Sequence, residues 1–520
     1  MKDSQERLPS WGRAILLSVV FAASASGLVY ELVAGAVSSY ILGDAVTQFS
    51  LVIGVFLSAM GGGAFLAQFL QSCLLYRFVQ LELWLGVLGG CSSMMMFAVS
   101  AFAESLFPLF FYSLCVMLGG FIGLEVPLLI RILQASQSVS ATLSDVLALD
   151  YLGALIGSIL FPFVVLPFLG LSRASVVFGL LNLAVAAACL PLLQKRSRGL
   201  LSFQLVFAAL LLLSTFVFST QWVGFFEDIL YQDDIIYTAS TPYQRIVLTR
   251  WRDDIRLYLN GHIQFSSIDE ARYHESLVIP AMEASAPVRD VLILGGGDGM
   301  AAREVLKYDS VAAITVVDLD PAMTRLGQER TELLKLNQNS LNSPKVEVVN
   351  SDAMLFVEEN RDFYDVIVID LPDPNNEALS KLYSDSFYRL CARRLRENGV
   401  FVTQATSPFF ARDAFWCIVT TVNAGAAEAF PESGVRAALP YHVNVPAFGE
   451  WGFVMGTKRP LDPAQLAVSV DTRFLDTMTL HAMFAFGKDI QAPENTLKIN
   501  RLEHPVLYSY YEKGWRTYSE

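Results

Sequence analysis

VRDVLILGGGDGMAAREVLKY (288–308) is the stretch that decides the fold of the second half of the chain. An apolar run leads into three glycines and Asp298-Gly299, and then into residues with helical apolar spacing. A strand that turns through glycines into a helix is how a doubly wound α/β domain begins, because glycine lets backbone approach a ligand closely. AITVVDLD (313–320), KVEVVNSD (345–352) and YDVIVIDLPDP (364–374) follow as further strands separated by helical patterns, which predicts a parallel sheet. The loop does not spell G-x-G-x-x-G; acids at the strand ends strengthen it. Asp318 ends the second strand, 23 residues after Gly295, where a carboxylate takes ribose hydroxyls. Asp352 ends the third, in position to accept from an adenine amino group, and Asp370 and Asp373 follow the fourth. Any one of these acids alone reads equally well as a helix cap, a turn former or a solvated loop residue. Four on one sheet edge predict an adenosine-type site.

Upstream, QRIVLTR (244–250) and IRLYLNGHIQF (255–265) read as strands, with Asn260-Gly261 as a hairpin turn. A small β module (221–285) thus precedes a Rossmann-like domain of the methyltransferase type (286–520). Before residue 220 the composition changes. Of 520 residues 53% are apolar and 17% charged, but residues 1–220 hold only nine basic and nine acidic side chains. The soluble part therefore carries the entire net charge of −13. That balance excludes disorder and argues against a nucleic-acid partner, whose phosphates it would repel.

Seven apolar runs (14–40, 49–70, 82–103, 106–130, 146–169, 172–193 and 200–219) reach the ~20 residues needed to cross a bilayer. An α-helical transmembrane bundle (1–220) is expected, with the first run retained rather than cleaved. Arg131, Asp145 and Asp150 read as interfacial, whereas Glu31 and Glu125 lie deeper and could line a path for a cation. Gly61, Gly62 and Gly63 suit close helix approach. Lys2, Arg7, Arg13, Arg77, Arg131, Lys195, Arg196 and Arg198 gather on one side and only Arg173 on the other, which favours an inside N-terminus. Seven spans would then put the soluble part outside. Six cysteines without a C-x-x-C pair suggest neither a zinc site nor disulfides.

YHES (273–276), LGGGDGMAAREVLK (294–307), DLPDP (370–374), Gln404 and PAFGEWGF (446–453) together resemble the polyamine aminopropyltransferases, the spermidine synthases. The likeness runs from about 243 to about 456, and the whole chain resembles the bacterial subgroup with an N-terminal multi-span membrane domain. The resemblance implies that Gln244 and Asp318 hold the nucleoside, beside the Gly295 and Gly297 loop, and that Asp352-Ala353 contacts the adenine. His274, Asp298, Asp373 and Gln404 would face the amines, and Asp370 would be the base with Tyr273 as its partner. The implied donor is decarboxylated S-adenosylmethionine, the acceptor putrescine and the products spermidine and methylthioadenosine, with no prosthetic group and no metal. Homo-oligomers through the β module and a cytoplasmic catalytic domain, close to the cytosolic donor, are also implied. The sequence departs from the family at NNEALSK (375–381), at Phe448 in place of a tyrosine and at Asp318 in place of a glutamate.

Asp298 separates two enzyme classes. An acid beside the glycine loop repels the carboxylate of S-adenosylmethionine, as a methyltransferase would bind it, but welcomes a donor ending in an ammonium; like-charge contact costs several kcal/mol. Asp298 could instead cap the following helix. A third reading makes the spans a transporter or sensor regulated by a polyamine-binding C-terminal domain.

Overall fold

A computed structural model of the chain describes residues 10–42, 45–134, 139–231, 233–429, 438–494 and 497–519; Lys2 and Arg7 lie outside them. The chain forms two compact units, Met1–Ile235 and Ile236–Glu520.

Among the described residues the first unit contains seven α-helices: α1 (Ser10–Leu42), α2 (Ala45–Leu66), α3 (Leu74–Phe102), α4 (Phe107–Leu133), α5 (Val139–Leu160), α6 (Leu166–Cys189) and α7 (Lys195–Tyr231). A helix satisfies its own backbone, which is what a long apolar run requires in lipid. Six stretches are long and apolar enough to cross a membrane, where the sequence counts seven runs. The expected fifth and sixth runs fall in one 54-residue stretch, Val139–Leu192, because a π-helical turn (Phe161–Val165) continues the helix past Leu160. The break comes later, at Gly170, whose φ of +69° leaves the helical region.

Contacts fix the helix directions. Arg13 pairs with Asp145 at 2.7 Å, and Gly153 and Gly157 lie against Phe21 and Ala25, so α1 and α5 run the same way. Gly119 and Gly123 lie against Phe56 and Met60, and Arg131 donates to the Ala67 carbonyl at 2.8 Å, so α2 and α4 are parallel too. Ser93 meets Ser172 at 3.3 Å and Gly86 meets Leu183, so α3 and α6 are antiparallel. Gly90 meets Leu212 and Phe102 meets Phe226, which aligns α7 with α3. Small residues make these approaches. A Cβ on Gly63 would lie 2.1 Å from the Gly120 carbonyl oxygen. Gly61 and Gly62 touch nothing comparable, so only one of that trio has the expected role.

The second unit opens with β1 (Asp234–Ser240), β2 (Arg245–Trp251), β3 (Asp254–Leu259) and β4 (His262–Ser266), in that order in one sheet. Asn260 and Gly261 take φ of +51° and +84° in the β3–β4 turn, the left-handed pair that a tight hairpin needs. The helix α8 (Glu270–Ala284) leads to β5 (Asp290–Gly295), β6 (Ala313–Asp318), β7 (Val346–Asn350), β8 (Tyr364–Asp370), β9 (Leu395–Gln404), β10 (Ala438–Val445) and β11 (Gly449–Thr457). The sheet order is β10-β11-β9-β8-β5-β6-β7. Strands β5 to β9 are parallel, and the central ones are buried on both faces, which is why they read as unbroken apolar runs. The sheet is mixed rather than purely parallel: β11 is antiparallel to both β9 and β10. Three residues join β10 to β11, far too few for the crossover that parallel neighbours need.

Candidate active site

The parallel strands end on one edge, and their last residues are Gly295, Asp318, Asn350, Asp370 and Gln404; the third strand stops two residues short of Asp352, which caps the next helix instead. Ligands bind outside this edge in such sheets. Gly295 faces Asp370 in register, with φ of +87°, and a Cβ there would lie 1.9 Å from the Asp370 carbonyl oxygen. Only glycine lets the loop pass so close to that strand.

On the nucleoside side, the Asp318 carboxylate accepts from the N–H groups of Gly297 (3.0 Å) and Asp320 (2.9 Å). Burial pushes its pKa up to about 6, against the pull of those two N–H groups. Gln244 donates to Asp320 at 3.0 Å, beside the Thr241 hydroxyl at 2.8 Å, and does not reach Asp318. Asp320 thus ties the β module to the sheet edge and also caps the helix Pro321–Glu329. Asp352 caps the helix Ala353–Glu359 through the Met354 N–H at 2.8 Å and pairs with Lys381 at 2.7 Å. Burial raises its pKa, but Lys381 and the cap outweigh that and hold it below its ordinary value. The bland capping role is therefore real for Asp352. Lys381 closes the loop that departs from the family pattern.

On the other side, the Tyr273 hydroxyl donates to Asp370 at 2.8 Å. Burial raises the pKa of Asp370 to about 6; Asp298 adds to the rise, while His274 and Tyr273 oppose it. Asp373 accepts from Gln404 Nε2 at 3.1 Å and from the Thr406 hydroxyl at 3.3 Å, and the Tyr511 hydroxyl reaches it from the C-terminal helix Leu507–Ser519. Burial pushes its pKa to about 6 as well, against these donors. Gln404, buried beneath this loop, also touches the Leu371 carbonyl and the Tyr383 hydroxyl, which ties it to the loop that carries Asp373. Asp298, one residue before the Gly299 N-cap of the following helix, accepts from the Met300 N–H at 2.8 Å, and its charge still acts on Asp370 and Asp318.

His274 is anchored to its own helix through one ring nitrogen. Its Nδ1 lies 3.0 Å from the Glu270 carbonyl and 3.1 Å from the Glu270 carboxylate. Burial disfavours the imidazolium, yet Glu270, Asp298 and Asp370 raise its pKa to about 9. A protonated ring has no lone pair to offer an ammonium. Glu270 in turn holds Arg303 at 2.8 Å and Arg473 at 3.0 Å. Phe448 packs edge-on against Tyr273, with ring centroids 5.9 Å apart.

Sequence reasoning missed Asp320, Glu270, Arg303, Tyr383, Thr406 and Tyr511. A positive φ of +55° at Thr406, rare for a β-branched residue, shows how tightly the loop is held. Glu270, four residues before His274, was the one legible pair, since i and i+4 share a helix face. Tyr511 had no local signal.

Residues 270–462 match the family model described as the spermine/spermidine synthase domain. The chain is 44% identical to polyamine aminopropyltransferase 2 of Ralstonia nicotianae over 97% of this chain and 98% of that one. It is also 44% identical to the polyamine aminopropyltransferase of Leptospira interrogans over 96% and 98%. A spermidine synthase structure from Thermotoga maritima aligns at 25% identity and a TM-score of 0.43, covering 49% of this chain and 85% of that one. Matched nearly end to end by such relatives, the chain belongs to the polyamine aminopropyltransferases, a family of transferase enzymes.

Proposed function

We propose that this enzyme transfers the aminopropyl group of decarboxylated S-adenosylmethionine to putrescine, giving spermidine and methylthioadenosine. The donor is the family's co-substrate, and the observation that carries the acceptor is the pair Asp370 and Asp373. The amine nitrogen attacks the carbon beside the sulfonium, the C–S bond breaks, and its electrons stay on a neutral thioether. No departing charge needs stabilising. The difficulty is the nucleophile, because alkyl amines with pKa ~10.4 are protonated near neutrality. Asp370 takes the proton from the attacking end while Tyr273 orients the carboxylate. Asp373 holds the ammonium at the far end. Asp318, Gln244 with Asp320, and Asp352-Ala353 serve the nucleoside, and Asp298 favours a donor lacking a carboxylate. His274 tunes Asp370 by its charge. With both donors and putrescine supplied, methylthioadenosine should form only from the decarboxylated one; methylated amine without methylthioadenosine would overturn the assignment.

The base works only as a carboxylate, and its pKa is raised to about 6, so it is protonated below that value. Asp373 titrates in the same range. The rate constant kcat/KM should therefore rise with pH through about 6, more steeply than one group allows. A pH profile that is flat from about 5 to about 7 would remove Asp370 from the proton transfer. Tyr511→Phe should raise KM for the acceptor about tenfold and leave donor binding unchanged, since a hydrogen bond to a charged group contributes ~1.5 kcal/mol. An unaltered KM would make the C-terminal helix a structural element only.

The alternation of helix directions supports seven crossings, with the 54-residue stretch counted as two. At 1.5 Å per residue that stretch spans ~80 Å, more than twice the ~30 Å bilayer core. We read residues 1–220 as the membrane domain and 286–520 as the catalytic domain; the β module between them begins at β1 rather than at the expected residue 221, because α7 continues to Tyr231. The cytosolic origin of the donor argues for a catalytic domain on the cytosolic face, which with seven crossings places the N-terminus outside, against the loop charges.

A further inference from the structure

We infer that the helical unit holds a second site, for an alkylammonium ion, formed by Glu82 of α3, Glu125 of α4 and Tyr30 of α1. Glu82 is fully buried and Glu125 is 3% exposed. Each lies eight residues from the neighbouring end of its helix, about 12 Å of axial rise. Their carboxyl groups lie against each other across the antiparallel α3 and α4. The two carboxyls hydrogen-bond to each other, no other donor reaches either oxygen of Glu82 or Oε1 of Glu125, and among the described residues no cationic side chain pairs with them.

Tyr30 is the independent observation. It is 1% exposed, and its hydroxyl, within electrostatic reach of both carboxyls, has no hydrogen-bond partner. Its ring rests on Gly89, two turns along α3 from Glu82, where a Cβ would lie 2.4 Å from the ring. Glycine there lets the phenol seat at this depth. A further buried acceptor without a partner, Asn182 Oδ1, precedes Leu183, which packs on Gly86 one turn from Glu82. Asp150 of α5 lies within electrostatic reach of Glu125.

The inventory is oxygen acceptors with almost no donors, and burying two unpaired carboxylates is costly. An ammonium supplies three N–H donors and the missing positive charge. Among the described residues no group of three His, Cys, Asp or Glu side chains is arranged to hold a metal ion. The choice of an alkylammonium rests on the function proposed above, since such ions are what the catalytic unit would consume and release. The bundle would then bind the molecules on which the other unit acts.

The test is equilibrium binding of radiolabelled spermidine to the full chain in phosphatidylcholine nanodiscs, beside methylthioadenosine release by the same samples. The double variant Glu82→Gln, Glu125→Gln should bind one spermidine fewer per chain than the parent while turnover stays within twofold. Tyr30→Phe keeps the ring on Gly89 and removes one hydrogen bond to the ammonium, so it should weaken that second site about tenfold and leave turnover intact. It decides the matter if the double variant does not fold. Unchanged spermidine binding in both variants would overturn the site, including the case in which protons or sodium alone neutralise the pair. Loss of turnover in the parent chain with the second site intact would count against the catalytic reading and not against this one.

Discussion

Asp370→Asn is expected to reduce turnover about 10³-fold while the donor still binds with unchanged affinity, within the ~10²–10⁴-fold range of a positioned general base. The amide is isosteric and can still accept from Tyr273, so the geometry at 2.8 Å has no reason to collapse. What it cannot do is take a proton from the attacking amine. Methylthioadenosine release measures the chemical step, and equilibrium binding of the donor measures the nucleoside half separately. The rise of kcat/KM near pH 6 should lose the contribution of this group and keep that of Asp373. Near-normal turnover would show that another group takes the proton.

Glu270→Gln should cost the fold about 3 kcal/mol, toward the lower end of what breaking a buried ion pair costs, because Arg303 keeps Glu304 and the Leu336 carbonyl. The carboxylate is fully buried and serves His274, Arg303 and Arg473 at once. Burial works against its charge, but His274 and Arg303 hold its pKa down to about 2. The stability this shift supplies is complete above its ordinary value of 4.5 and lost as pH falls through about 2. For His274, raised from 6.5 to about 9, the contribution is complete below 6.5 and lost as pH rises through about 9. Thermal melts of parent and variant across pH should show the parent's alkaline decline missing from the variant. A variant as stable as the parent would mean that water or a second acid replaces Glu270. With His274 less charged, Asp370 loses a group that holds its pKa down, so the activity profile should move to higher pH.

Periodicity decides much of this protein. A helix in lipid and a strand buried on both faces both need long apolar runs, so the apolar helices and β5, β6 and β8 are legible as elements, though not to the residue. The acids at the strand ends are legible too, because a strand's C-terminal residue is fixed in space by the sheet to which it belongs. Local sequence does not show who faces whom. Gln244 reaches Asp320 rather than Asp318, and Asp352 spends its charge on a helix cap and Lys381. Glu82 is the first residue of an expected span and carried no signal of its own; α3 begins eight residues earlier and buries it against Glu125. The sequence by itself determined the elements, the sheet edge and the family. Only the tertiary structure decided which carboxylates are free for chemistry, because partners such as Tyr511, Thr406 and Arg303 lie 33 to 138 residues from Asp373 and Glu270, and only packing brings them together.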